Sequence, residues 1–219
     1  MKTLVLVVLV GCAGDLVEPW QLDHDRIIAV RATPPRLLAD TSAQLDVLIA
    51  HADAGATTRA PDDAYVISPP SLTSAVVGAT INAPSENELS AARAELGLPA
   101  SAPVPLMISV SAGGFTATKT VWLGEAADNP PFVGLQIADT VPSPELVLPI
   151  DTNVPLEVSA DDRTDNVTWL TSCGTMHDFD LSRAYLRIGP DDVQVGELVL
   201  VLRDPHGGVS WRVWPVRAE

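Results

Sequence analysis

Apolar and polar residues alternate with a period of two over short stretches along most of this chain. Leu45, Val47 and Ile49 alternate with Gln44, Asp46 and Leu48, and Leu106, Ile108 and Val110 alternate with Met107, Ser109 and Ser111. Successive side chains of a strand point to opposite faces, so this spacing predicts half-buried strands. Turn-forming runs punctuate them: Thr33-Pro34-Pro35, Gly113-Gly114, Asp128-Asn129-Pro130-Pro131 and Asp204-Pro205-His206-Gly207-Gly208. Val167-Thr168-Trp169 predicts a central strand with an inward tryptophan, and Leu186 and Ile188 flank Arg187 in another. Gly196 to Arg203 is apolar on both faces, as an interior strand requires, and the last strand is expected to turn Trp211 and Val213 inward and Arg212 outward.

The plan occurs twice. Thr41 to Val47 and Thr152 to Val158 share the pattern T-x-x-x-L-acid-V at an offset of 111, and VPLMISVSAGGFTATKTVW resembles LVLVLRDPHGGVSWRVW with Gly113 and Gly207 offset by 94. Two ordered anchors predict a tandem repeat of about a hundred residues, each copy an antiparallel sandwich. The boundary falls at Glu125 to Pro131, where Asp-Asn-Pro-Pro makes a stiff, exposed link. One helix is expected, inserted in the first copy: Ser85 and Glu88 form a capping box, Leu89, Ala92, Arg93 and Leu96 fall at helical spacing, and Gly97 supplies the stop.

Residues 1–11 stand apart. Lys2 precedes a seven-residue apolar run from Leu4 to Val10, well short of the roughly 20 residues that span a bilayer. A charged start, a short apolar core and small residues predict a secretory signal. Leu9-Val10-Gly11-Cys12 resembles the lipobox of bacterial lipoproteins. That resemblance implies cleavage before Cys12, lipidation of its thiol, and a membrane anchor of several acyl chains. Ala13 after the cysteine implies an outer-membrane address, on the periplasmic or the outer surface. Residues 12–25 then read as a tether, followed by domains over 26–125 and 131–219.

Charge narrows the partners. With 13 basic and 28 acidic residues among 219, the net charge is -15. Phosphate contacts need cationic side chains, so nucleic acid is excluded as a partner and the membrane is reached through the lipid. Cys173 is the other cysteine, and no cationic neighbours in sequence would activate it, so a buried small hydrophobe is expected.

The chemistry-bearing residues are few. His24, His51, His177 and His206 show no metal-ligand spacing with one another or with a cysteine. His177-Asp178-Phe179-Asp180 pairs an imidazole with carboxylates, a remote hydrolase reading with no nucleophile motif beside it. Calcium is the stronger alternative. The sequence DNPPF resembles the linker of cadherin repeats, which implies Asp128 and Asn129 as ligands, joined by Asp161, Asp162 and Asp165 from a loop of the second copy. Trp122 and Trp214 occupy matching places near the last strand of each copy and are candidate contact residues.

The runs RIIAVRATPPRLLADTSAQLDVLIA, LGLPASAPVPLMISVSAGGFTATKTVW, DNPPFVGLQI and LVLVLRDPHGGVSW resemble immunoglobulin-like-domain lipoproteins of myxobacteria and related bacteria. The resemblance implies an all-β chain of two tandem immunoglobulin-like antiparallel β-sandwiches, with one short helix inserted in the first. It implies a lipid-anchored, non-catalytic structural or interaction module of the cell envelope, binding another envelope protein or an external ligand. The alternative is a calcium-stiffened surface adhesin.

Overall fold

The computed structural model describes residues 18–52, 55–160 and 165–219. Two β-sandwiches follow one another along the chain. The first comprises β1 (Arg26–Thr33), β2 (Arg36–Leu37), β3 (Ser42–His51), β4 (Gly55–Arg59), β5 (Asp63–Ser68), β6 (Val76–Val77), β7 (Thr80–Asn82), β8 (Val104–Ala112) and β9 (Phe115–Leu123). The second comprises β10 (Val133–Ile137), β11 (Leu146–Leu148), β12 (Val154–Ser159), β13 (Asn166–Thr171), β14 (Thr175–His177), β15 (Arg183–Arg187), β16 (Val195–Arg203) and β17 (Val209–Ala218).

Strand order makes both sandwiches immunoglobulin-like. The first has sheets β1-β3-β7-β6 and β2-β9-β8-β5, and the second has β10-β12-β15-β14 and β11-β17-β16-β13. In each copy a short second strand leaves the first sheet and pairs in parallel with the last strand, β2 with β9 and β11 with β17. The remaining ladders are antiparallel, as an immunoglobulin sandwich requires. The sequence repeat falls on equivalent elements. Its first anchor spans β3 and β12, the third strand of each sandwich, and its second anchor spans the β8–β9 and β16–β17 hairpins.

The helix runs from Glu86 to Leu96 between β7 and β8. The Ser85 backbone N–H donates to the Glu88 carboxylate at 2.9 Å, and Gly97 closes the helix at φ 65°. Leu89, Ala92 and Arg93 turn inward, and the Arg93 guanidinium folds under to Glu86 at 2.6 Å and to the Ala102 carbonyl at 2.8 Å.

Each sandwich has its own core, and a third apolar cluster lies between them. Leu22, Ala29, Leu48, Ala50 and Ala56 meet Leu170, Val199, Val201, Val209 and Trp211. The outer face of the β1–β3–β4 ladder thus covers the outer face of the β13–β16–β17 sheet. This explains why β16 is apolar on both sides: Leu198, Leu200 and Leu202 fill the second core while Val199 and Val201 face the first sandwich. The two sandwiches are therefore joined by a face-to-face contact as well as by the link at residues 125–131.

The contact also corrects the tether. From Trp20 onward the segment belongs to the fold: Trp20 enters the second core and Leu22 the cluster between sandwiches. The Leu22 N–H donates to the Thr171 carbonyl at 2.9 Å and the Thr171 N–H to the Trp20 carbonyl at 3.0 Å. Residues 20–22 form a parallel bridge on the edge of β13, giving that edge a partner it would otherwise lack.

Candidate functional site

The hairpin between β16 and β17 carries most polar contacts between the sandwiches. Asp204 shapes it, its Oδ1 accepting from the backbone N–H groups of His206 at 2.7 Å and Gly208 at 2.9 Å. The Gly207 carbonyl, thrust outward at a φ of 89°, accepts a hydrogen bond from the Lys119 ammonium of the first sandwich. Arg203 reaches the other way, donating to the Ile28 carbonyl at 2.8 Å and to Thr168 Oγ1 at 3.2 Å. The Glu197 carboxylate on β16 accepts the Ala56 N–H at 2.5 Å.

Lys119, Arg203, Asp204 and Gly207 border a cleft of about 300 Å³. Ile27 to Val30 of β1 and Ala117 to Thr120 of β9 form its walls, and Arg203, Asp204 and Gly207 to Val209 close it from the second sandwich. Lys119 sits at an inward position of β9, opposite Ile108, where Val121 and Leu123 are core residues. Its stem runs inside the sandwich and its amine emerges at the cleft, leaving the residue 5% exposed. Burial lowers its pKa to about 8, against the opposing pull of Asp204 and with a small further push from Arg203. Burial also lowers the Arg203 pKa.

The residues singled out from sequence are scattered. Cys12, Asp161 and Asp162 lie outside the described residues. Asp128 is exposed. Asn129 Nδ2 donates to the Ala32 carbonyl at 2.9 Å while its Oδ1 accepts the Val209 N–H at 2.8 Å. That amide clasps the two sandwiches, so protein groups engage both of its ends. Asp165 immediately precedes β13. Among the described residues no group of three or more histidine, cysteine, aspartate or glutamate side chains gathers as a metal site would require.

Trp214 is a correction. It is 1% exposed, packs in the second core beneath the Arg212 guanidinium at 5.3 Å, and offers no surface to a partner. Its neighbours exchange roles with it: Trp211 and Val213, expected inside, face the first sandwich. The cause is turn length. Gly113-Gly114 is itself a two-residue turn whose flanking pair is Ala112 and Phe115, whereas the second hairpin spends residues 204–208 between Arg203 and Val209. The glycines align in sequence, but the strands leave them in opposite phase. Trp122 is half-buried against the second hairpin, where a Cβ on Gly207 would lie 3.6 Å from its ring.

Cys173 is buried at 2% exposure, and burial raises the pKa of its thiol. His177 is exposed on β14, bordering a depression with Asp151, Arg187, Asp191 and Asp192. On the first sandwich, Tyr65, Ile67 and Met107 share the outer face of the β5–β8–β9 sheet at 54, 46 and 39% exposure. Its counterpart in the second sandwich is the face covered by β1, β3 and β4. Among the described residues no helix is long and apolar enough to cross a membrane.

No protein-family model matches this chain, and no curated protein matches it. Solved structures share similarity at low identity. A nucleoside hydrolase-related hypothetical protein from Saccharophagus degradans is 16% identical over 42% of this chain, with a TM-score of 0.32; the match spans about a quarter of that protein, 26%. A chimeric titin tandem is 12% identical, covering 89% of this chain and 99% of its own, with a TM-score of 0.34. The N-terminal two-domain immunoglobulin module of the Drosophila receptor protein tyrosine phosphatase DLAR is 12% identical, covering 90% and 99%, with a TM-score of 0.31. The immunoglobulin-like assignment rests on strand order.

Proposed function

We propose that this chain is a non-catalytic interaction module of the bacterial cell envelope, anchored in the outer membrane by a lipid on Cys12, that engages a protein partner through the outer face of the β5–β8–β9 sheet. The observation that carries the reading is the adjacent exposure of Tyr65, Ile67 and Met107 on that face. Large apolar side chains laid open together mark contact surfaces, and tyrosine and methionine are enriched in them. The outer face of the second sandwich around Glu157 and Arg183 is polar by contrast, with the two side chains paired at 3.1 Å. The sequence Leu9-Val10-Gly11-Cys12 supports the anchor. Seven residues lie between Cys12 and Trp20, so a lipid there would hold the second sandwich within about 30 Å of the bilayer.

A photo-crosslinking residue at Tyr65, in the full chain and in native membranes, tests the face, with Arg183 as the comparison position. A discrete protein adduct from position 65 and none from position 183 is expected. The same adducts from both, or none from position 65, would reject the surface. Mass analysis of the mature N-terminus tests the anchor: it should begin at an acylated Cys12.

A further inference from the structure

Lys119, which is buried, and Arg203, which is half-buried, bring two cations to one cleft, and among the described residues neither forms an ion pair with a carboxylate. The Lys119 ammonium has three N–H groups and hydrogen-bonds the Gly207 carbonyl. The Arg203 guanidinium has five and donates to Thr168 and Ile28, both uncharged. Asp204, the one acid lining the cleft, uses its Oδ1 on its own turn. Burying a cation without a counter-charge is costly, and two of them beside a single carboxylate leave the cleft net positive. The chain as a whole is acidic, at -15, so this local excess is placed against the general field.

We propose that the cleft between the two sandwiches binds a small oxyanion, a carboxylate or phosphate, held between the Lys119 ammonium and the Arg203 guanidinium. The space of about 300 Å³ exceeds the headgroup, and Ile27, Ala29, Val30, Ala117 and Val209 give it apolar walls that fit a short hydrocarbon tail. Because its walls come from both sandwiches, the bound anion also strengthens their contact.

Calorimetric titration of the mature chain at fixed ionic strength, with isovalerate and separately with inorganic phosphate, tests this. Saturable one-to-one binding of at least one probe is expected. Isovalerate alone, or tighter than phosphate, identifies a carboxylate with an apolar tail, and phosphate alone identifies the free anion. Lys119→Met should weaken binding about tenfold or more, the effect of losing one charge-assisted hydrogen bond. Ala117→Leu, which fills the cleft and leaves both cations, should abolish it. Should either variant fail to fold, competition between the probes on the unaltered chain, together with loss of binding above pH 9, replaces it. No saturable binding of either probe, or binding indifferent to both substitutions, overturns the proposal.

Discussion

The Arg31 guanidinium lies 4.0 Å from the centroid of the Trp211 ring, stacking the first strand of one sandwich on the last strand of the other. Asp46 holds the arginine at 2.9 Å, and the Trp211 indole N–H donates to Thr58 Oγ1 at 2.9 Å. Aromatic area, a cation over the ring and a satisfied indole therefore meet at one point of the contact.

Trp211→Ala should destabilise the protein by about 3 kcal/mol, the cost of truncating a buried tryptophan. It should also split a single urea transition into two, because the sandwiches lose their main shared anchor. Thr58→Val keeps the ring and unpairs only its N–H, so about 1 kcal/mol and one transition are expected. Urea unfolding followed by circular dichroism reads both.

Lys119 gives the protein a pH signature. An ordinary lysine keeps its proton to about 10.5, and here burial lowers the value to about 8. Between those values the unfolded chain binds more protons than the folded one, so stability rises with pH across that window. Below about pH 8 both states are protonated and the contribution is flat. The difference in unfolding free energy between the wild type and Lys119→Met should climb by about 3 kcal/mol from pH 8 to 10.5, an upper figure set by that shift. Urea midpoints at four pH values check it.

Asn129→Ala should cost about 2 kcal/mol, since the Ala32 carbonyl and the Val209 N–H each lose a partner at a partly buried place. Because protein groups engage both ends of that amide, thermal melting of the wild type should be the same with calcium and with chelator. A melting temperature raised by calcium would show a site formed at the joint.

Removing residues up to Leu22 should speed hydrogen exchange at the Thr171 amide, whose acceptor is the Trp20 carbonyl. Exchange in the first core, at Leu106 or Ile108, should be unchanged. Trp20→Ala within the full chain should reproduce the change at Thr171 in part, because the backbone bridge survives the loss of the side chain.

Local features were legible in the sequence wherever one residue's chemistry decides local geometry. Ser85, Glu88 and Gly97 bound the helix as their caps require, and the paired T-x-x-x-L-acid-V runs fall on equivalent strands. Alternation along β17 reveals two apolar faces but not which neighbour each one meets, so Trp211 and Trp214 exchange places when a hairpin changes length. Lys119 did leave a signal. In FTATKTVWL it takes an inward position in phase with Val121 and Leu123, a charge where the pattern asks for an apolar residue. Trp20 and Leu22 are also spaced as strand neighbours, but nothing local names β13, some 150 positions later, as their partner.

That separation bears on how the protein is made. A polypeptide emerges from its amino end, and Trp20 and Leu22 are among the earliest described residues to appear, while the strand edge that receives them is among the later parts to be synthesised. During the interval, Ala29, Leu48 and Ala50 on the first sandwich also await their cover. A nascent chain in this condition exposes a sticky half-interface to its neighbours, so synthesis in a crowded cell calls for a holding chaperone until the carboxyl-terminal half arrives.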